Sequence, residues 1–119
     1  MVRMRPRIML LGLPRDHPKI QDHIRAQLDA VVDQMSQLQV DFRLIGTTPQ
    51  DGSSRLKEEL ASEPVDGVVI GYGIRGLADH TVWFEQLVST VREDAPGAKL
   101  IFNTLPGNTA DAVKRWFSI

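Results

Sequence analysis

Residues 65–76 read VDGVVIGYGIRG. The run Gly67-Val-Val-Ile-Gly71 is continuously apolar and bounded by glycine, the pattern of a parallel strand covered on both faces. Three glycines follow at the G-x-G-x-x-G spacing: Gly71, Gly73 and Gly76. A buried strand that runs straight into a glycine-rich turn belongs in the middle of an open α/β sheet, and the rest of the chain is read around it.

Three more short apolar runs suit strands: Arg7-Ile-Met-Leu-Leu-Gly12, Asp41-Phe-Arg-Leu-Ile-Gly46 and Ala98-Lys-Leu-Ile-Phe-Asn103. Asp41 and Arg43 mark the second as an edge. Between the runs lie helical patterns. In Pro18 to Leu38, the residues Ile20, Ile24, Leu28, Val31, Met35 and Leu38 step by three or four, one buried stripe on a helix that Pro18 is placed to begin. A shorter helix is capped by Ser53 or Ser54, turns Leu56 and Leu60 inward and closes at Pro64. The next carries Phe84, Leu87, Val88 and Val91 and stops at Ala95-Pro96-Gly97. The last starts near Asn108 or Thr109 and packs Val113, Trp116 and Phe117.

The expected fold is therefore βαβαβαβα: a four-stranded parallel sheet with helices on both faces, in the flavodoxin-like order 2-1-3-4. The 119 residues suffice for a single domain, 1–119, which at this size buries roughly two-thirds of its extended surface. Apolar residues at 42% and charged residues at 24% are ordinary for a folded domain and argue against disorder.

Composition also removes function classes. A net charge of −1 gives no basic field for a sequence-independent grip on nucleic acid. With no cysteine there is no disulfide framework, thiolate metal site or catalytic thiol, and a reducing, cytoplasmic setting is expected. The amino terminus MVRMRPRIMLLGL places arginines before an apolar run, but Ile8 to Leu13 is short for a signal peptide and meets Pro14-Arg15, so it reads as a strand. No stretch reaches the length of a membrane span.

Ligands of open α/β sheets sit beyond the carboxyl ends of the strands, where neighbouring connections leave in opposite directions. In the expected order that point lies between strands one and three. Its walls are the loop from Leu13 to Lys19, with Arg15, Asp16 and His17, and the turn Gly71, Tyr72, Gly73, Ile74, Arg75, Gly76; Asn103 and Thr104 stand beside them.

The glycine pattern matches the dinucleotide fingerprint in its local setting. The next strand, however, ends in Asn103 rather than an acid for the ribose, and no second mononucleotide half follows. Asp79 is placed to cap a helix from His80, which leaves the glycines in a loop. No cofactor is expected; the glycines read as a turn using positive φ, or as a backbone nest for a smaller anion. The spacing in Gly46 to Ser54 is wrong for a P-loop, and no family is recognised.

A small anionic or polar metabolite is the expected ligand. Arg15 and Arg75 would pair with it, amides after Gly71 and Gly107 would donate to it, and Asn103 and Thr104 would orient it. His17 or His80, tuned by Asp16, would act as general acid or base if chemistry occurs. No ligand spacing suggests a metal. A homo-oligomer is expected in either case, because the fourth strand is an apolar edge, and that strand or the final helix with Trp116 and Phe117 would contribute to the interface. The alternative function is a non-enzymatic homo-oligomeric assembly domain with no functional pocket.

Overall fold

The computed structural model describes residues 5–119. The arginine-rich start weighed above as a possible leader falls in part on residues 1–4, outside the described residues.

Four parallel strands form one sheet: β1 (Arg7–Gly12), β2 (Asp41–Gly46), β3 (Gly67–Ile70) and β4 (Lys99–Phe102), in the order β2-β1-β3-β4. β1 is central. Its residues pair in register with both neighbours, Leu11 lying opposite Ile45 of β2 and Ile70 of β3. The flavodoxin-like order expected from the sequence is the order observed.

Because side chains alternate across a strand, β1 feeds two separate cores. Met9 and Leu11 join Val68 and Ile70 on one face, against α2 (Ser54–Ser62) and α4 (Thr81–Asp94), which supply Leu56, Leu87 and Val91. Ile8 and Leu10 join Val69 and Ile101 on the other, against α1 (Asp22–Ser36) and α5 (Thr109–Lys114), which supply Val31, Met35, Ala112 and Val113. Right-handed crossovers require this split. The path from β1 to β2 runs in the opposite direction to the paths from β2 to β3 and from β3 to β4, so α1 lies on one face and α2 and α4 on the other.

Several details differ from the sequence reading. Pro18 does not open the first helix. Residues 14–20 make tight turns instead, His17 N–H donating to Pro14 O at 2.9 Å and Ile20 N–H to His17 O at 3.0 Å, and α1 begins at Asp22. Ile20 thus precedes the helix, although it continues the apolar stripe. At the other end α5 stops at Lys114, and Trp116 and Phe117 lie beyond it. They then part company: Phe117 packs against the α1/α5 core, while Trp116 is 51% exposed with the Lys99 ammonium 5.5 Å from its ring centre.

The glycine-rich segment forms no open loop. Tyr72–Arg75 is one helical turn, α3, followed by a 3-10 turn at Ala78–His80 that leads into α4. None of Gly71, Gly73 and Gly76 has a positive φ; among the described residues that conformation belongs to Gly52, at 55°. Crowding, rather than φ, explains Gly76. A Cβ built there would stand 2.5 Å from Cε1 of Tyr72 and 2.7 Å from the Tyr72 carbonyl oxygen, far inside contact distance. The absence of a side chain is what lets the Tyr72 ring lie back over the turn. No helix of the described residues is long and apolar enough to cross a membrane.

Candidate functional site at the carboxyl edge of the sheet

β1 and β3 are neighbours whose outgoing connections diverge, one to α1 and the other to α4 on the opposite face. A crevice at such a point is a consequence of topology. Here it opens on the α1 face as a cavity of about 350 Å³, within the range of small-molecule sites. Leu10 and Gly12 of β1 form its floor. Ile24 and Leu28 of α1 form one wall, with Ile20 above them, and Leu105 and Pro106 from the connection after β4 form the other. Tyr72, Gly73, Gly76 and Leu77 close it from above.

Polar groups inside the crevice are mostly committed to the protein. Asn103, at the end of β4, is buried, and its Oδ1 accepts the Tyr72 backbone N–H at 3.1 Å while its Nδ2 donates to Thr109 Oγ1 at 3.0 Å. Its side chain therefore ties the start of α3 to the start of α5 across the tops of β3 and β4. The Thr104 hydroxyl accepts from Asn108 Nδ2 at 2.6 Å, and Asn108 Oδ1 receives the Thr104 and Leu105 amides at 3.1 and 3.3 Å. This clamp presents Leu105 at the rim, 44% exposed, opposite Leu77 and Tyr72 at 41% and 49%. Gln27 Oε1 accepts the Gly107 amide at 2.9 Å, which fastens α1 to the same connection and closes the wall.

The crevice brings together Gly71, Tyr72, Gly73, Gly76, Asn103 and Thr104 of the residues singled out in the sequence. It does not gather the ionic ones. Arg15 points its guanidinium at Asp29 of α1, through Nε and through Nη2 at 2.8 Å, with Asp16 3.3 Å from Nη1. That hydrogen-bonded pairing raises the Arg15 pKa further and holds the Asp29 carboxyl below the usual aspartate value. Arg75 donates from Nη2 to the Asn103 carbonyl at 2.9 Å and stacks between the rings of Tyr72 and Phe102, 5.1 and 5.4 Å from their centres.

The histidines are also elsewhere. The Nδ1 of His17 accepts the Lys19 backbone N–H at 3.1 Å, the capping of a local turn. His80 is buried, its Nδ1 3.0 Å from Ile74 O and 3.2 Å from Gly73 O and its ring edge-on to Trp83 at 5.1 Å. It stitches α3 to the start of α4 on the face away from the cavity. Among the described residues, no group of three His, Asp or Glu side chains is placed to hold a metal ion.

Sequence reasoning passed over Gln21 and Leu77, and gave no role to Lys19 or Leu105 although both lie in segments it placed at this edge; all four line the crevice. A usable signal was present. The stripe Ile20, Ile24, Leu28 sits at the start of an element that runs back from the carboxyl edge, so its first members overhang the strand ends rather than the sheet. Compared with protein-family models, with curated proteins and with solved structures, the chain matches none.

Two measurements check this description. Asn103→Leu deprives the Tyr72 amide of its acceptor and the buried Thr109 hydroxyl of its donor, and a loss of about 1–3 kcal/mol is expected, read as a lower urea midpoint with an unchanged slope. Arg15→Ala should raise the Asp29 carboxyl towards the ordinary aspartate value in a carboxyl NMR titration. Because the folded value is depressed in the native protein, the pair stabilises above the unfolded pKa, and that contribution disappears as pH falls through the lowered value. A carboxyl that titrates identically in both proteins would refute the pairing.

Proposed function

We propose that this protein binds a small molecule with a largely apolar body in the crevice between β1 and β3. The observation that carries the reading is the cavity of about 350 Å³ at the point where the two connections diverge. Its floor and walls are aliphatic, and three of the chain's exposed large apolar side chains, Tyr72, Leu77 and Leu105, stand at its rim. Apolar concavity with a few polar groups at the mouth is the common form of a ligand site. The ionic ligand expected from Arg15 and Arg75 has less support, since both guanidinium groups are engaged with protein partners. Acid–base chemistry by His17 or His80 has no geometric support either, because neither ring lines the cavity. The reading is thus one of binding, and the lack of cysteine favours a reducing, cytoplasmic setting for it.

A second reading, self-association through β4, draws on one observation: Trp116 is half exposed beside an edge strand. Against it, Lys99 lies over that ring and Arg115 Nη2 donates to the Phe102 carbonyl at 2.8 Å, so charged side chains already shield the edge.

The two readings separate by experiment. A bound apolar ligand should raise the melting temperature, with a stabilisation of about 2.7 kcal/mol at a hundred times Kd. Gly73→Leu should abolish that response while keeping the fold, since the added Cβ stands 3.7 Å from Leu13 Cδ1 in a helical turn, in ordinary contact. Ile24→Trp fills the same space from the opposite wall. A melting shift that survives both variants would overturn the site. For self-association, Trp116→Ala should lower the mass measured by light scattering; a monomeric mass for the native protein ends that reading.

A further inference from the structure

The ligand class can be narrowed, on the assumption that the crevice is the binding site. Its lining contains one charged residue, Lys19, and no acid. Two of the cations nearby are neutralised by acids, Arg15 by Asp29 and Asp16, and Arg25 by Asp22 at 2.8 Å, with further bonds from Arg25 to the carbonyls of Arg15 and Ile20. Arg75 is outside the lining and donates to the Asn103 carbonyl instead. Among the described residues the Lys19 ammonium has no ion pair, and its chain position is fixed by the turn that His17 caps. Gln21 and Tyr72 also belong to the lining, and the Gln21 amide and the Tyr72 hydroxyl make no hydrogen bond among the described residues. The mouth therefore offers one positive charge and two neutral polar groups above an aliphatic interior.

The geometry points to a monocarboxylate with a hydrocarbon body: the chain or ring lies against Leu10, Ile24, Leu28 and Leu105, and the carboxylate meets Lys19. A single cation matches a single negative charge. A phosphate ester would carry nearly twice that charge, and the arginines that would balance it are turned onto protein partners. Lysine also suits the position mechanically. A lysine stem can lie along an apolar wall while its ammonium stays at the water boundary, where an amphipathic ligand ends.

The experiment compares octanoate with octan-1-ol, the same hydrocarbon with and without the charge, by calorimetric titration of the full chain at pH 7. In the native protein octanoate is expected to bind about three- to tenfold more tightly than the alcohol, the size of one partly exposed charge-assisted contact. Lys19→Met keeps the stem and removes the charge; it should erase the preference by weakening octanoate alone. Lys19→Arg should retain the preference, and raised salt should reduce it in the native protein. Equal binding of acid and alcohol, unaltered by Lys19→Met, would overturn the charged head group while leaving the apolar crevice intact. Absence of binding by both compounds, in the native protein as in Gly73→Leu, would overturn the crevice and the head group together.

Discussion

The structure turns on the pairing of β1 with β3. That contact, with Leu11 opposite Ile70, makes β1 the middle of three strands and commits its side chains to both cores at once. It also puts the departures to α1 and to α4 next to each other on opposite faces. Two connections that diverge from adjacent strand ends cannot cover the space between them, and the gap they leave is a property of the strand order rather than of any side chain. What the side chains decide is how much of the gap is filled, and from which face.

They fill it unequally. On the α2/α4 face, Leu13, Ile74 and Trp83 close the top of the core, and His80 bonds back to the carbonyls of α3 so that the turn leans towards this side. Trp83 in turn donates its indole N–H to Gly52 O at 2.9 Å, pinning the turn that follows β2. On the α1/α5 face no such plug exists. α5 begins late, after the 3-10 turn at Pro106–Asn108, and runs for six residues, and none of them lines the crevice. α1 starts at Asp22, after two tight turns, and leaves Ile24 and Leu28 facing the gap. The crevice is thus the unfilled half of a site whose other half is packed as core.

The strand order was legible in the sequence because it rests on pattern: continuous apolar runs for β1 and β3, an interrupted one for β2, and helical stripes long enough to be unambiguous. Element ends were less legible, for local reasons. Pro18 has the right φ to open a helix, yet hydrogen bonds from His17 and Ile20 spend the preceding residues on turns. The glycines were misread as sources of positive φ because that is their commonest use, whereas Gly76 is needed for a side-chain approach visible only in three dimensions. The location of the crevice could be read, since topology sets it. Its chemistry could not. Arg15 and Arg75 sit in loops at the right edge, but whether a guanidinium faces a ligand or a neighbour depends on Asp29, fourteen residues on, and on a carbonyl at Asn103. Sequence spacing carries no direct mark of such pairings.

Engaging the arginines with protein partners has a physical consequence for recognition. An exposed ion pair such as Arg15 with Asp29 adds little to stability, because water competes for both partners. It nevertheless occupies a cation at the rim, and Arg75, half-buried against two rings and bonded to the Asn103 carbonyl, stands outside the crevice lining. A crevice with three open cations would bind multiply charged metabolites largely through their charge and with little regard to the remainder of the molecule. With a single lysine left, electrostatic attraction is weak, and discrimination passes to the aliphatic walls, where shape and apolar area decide. The same folding that turns the loop arginines onto protein partners therefore shifts the site from reading charge to reading hydrocarbon, a shift no single residue of the crevice would reveal.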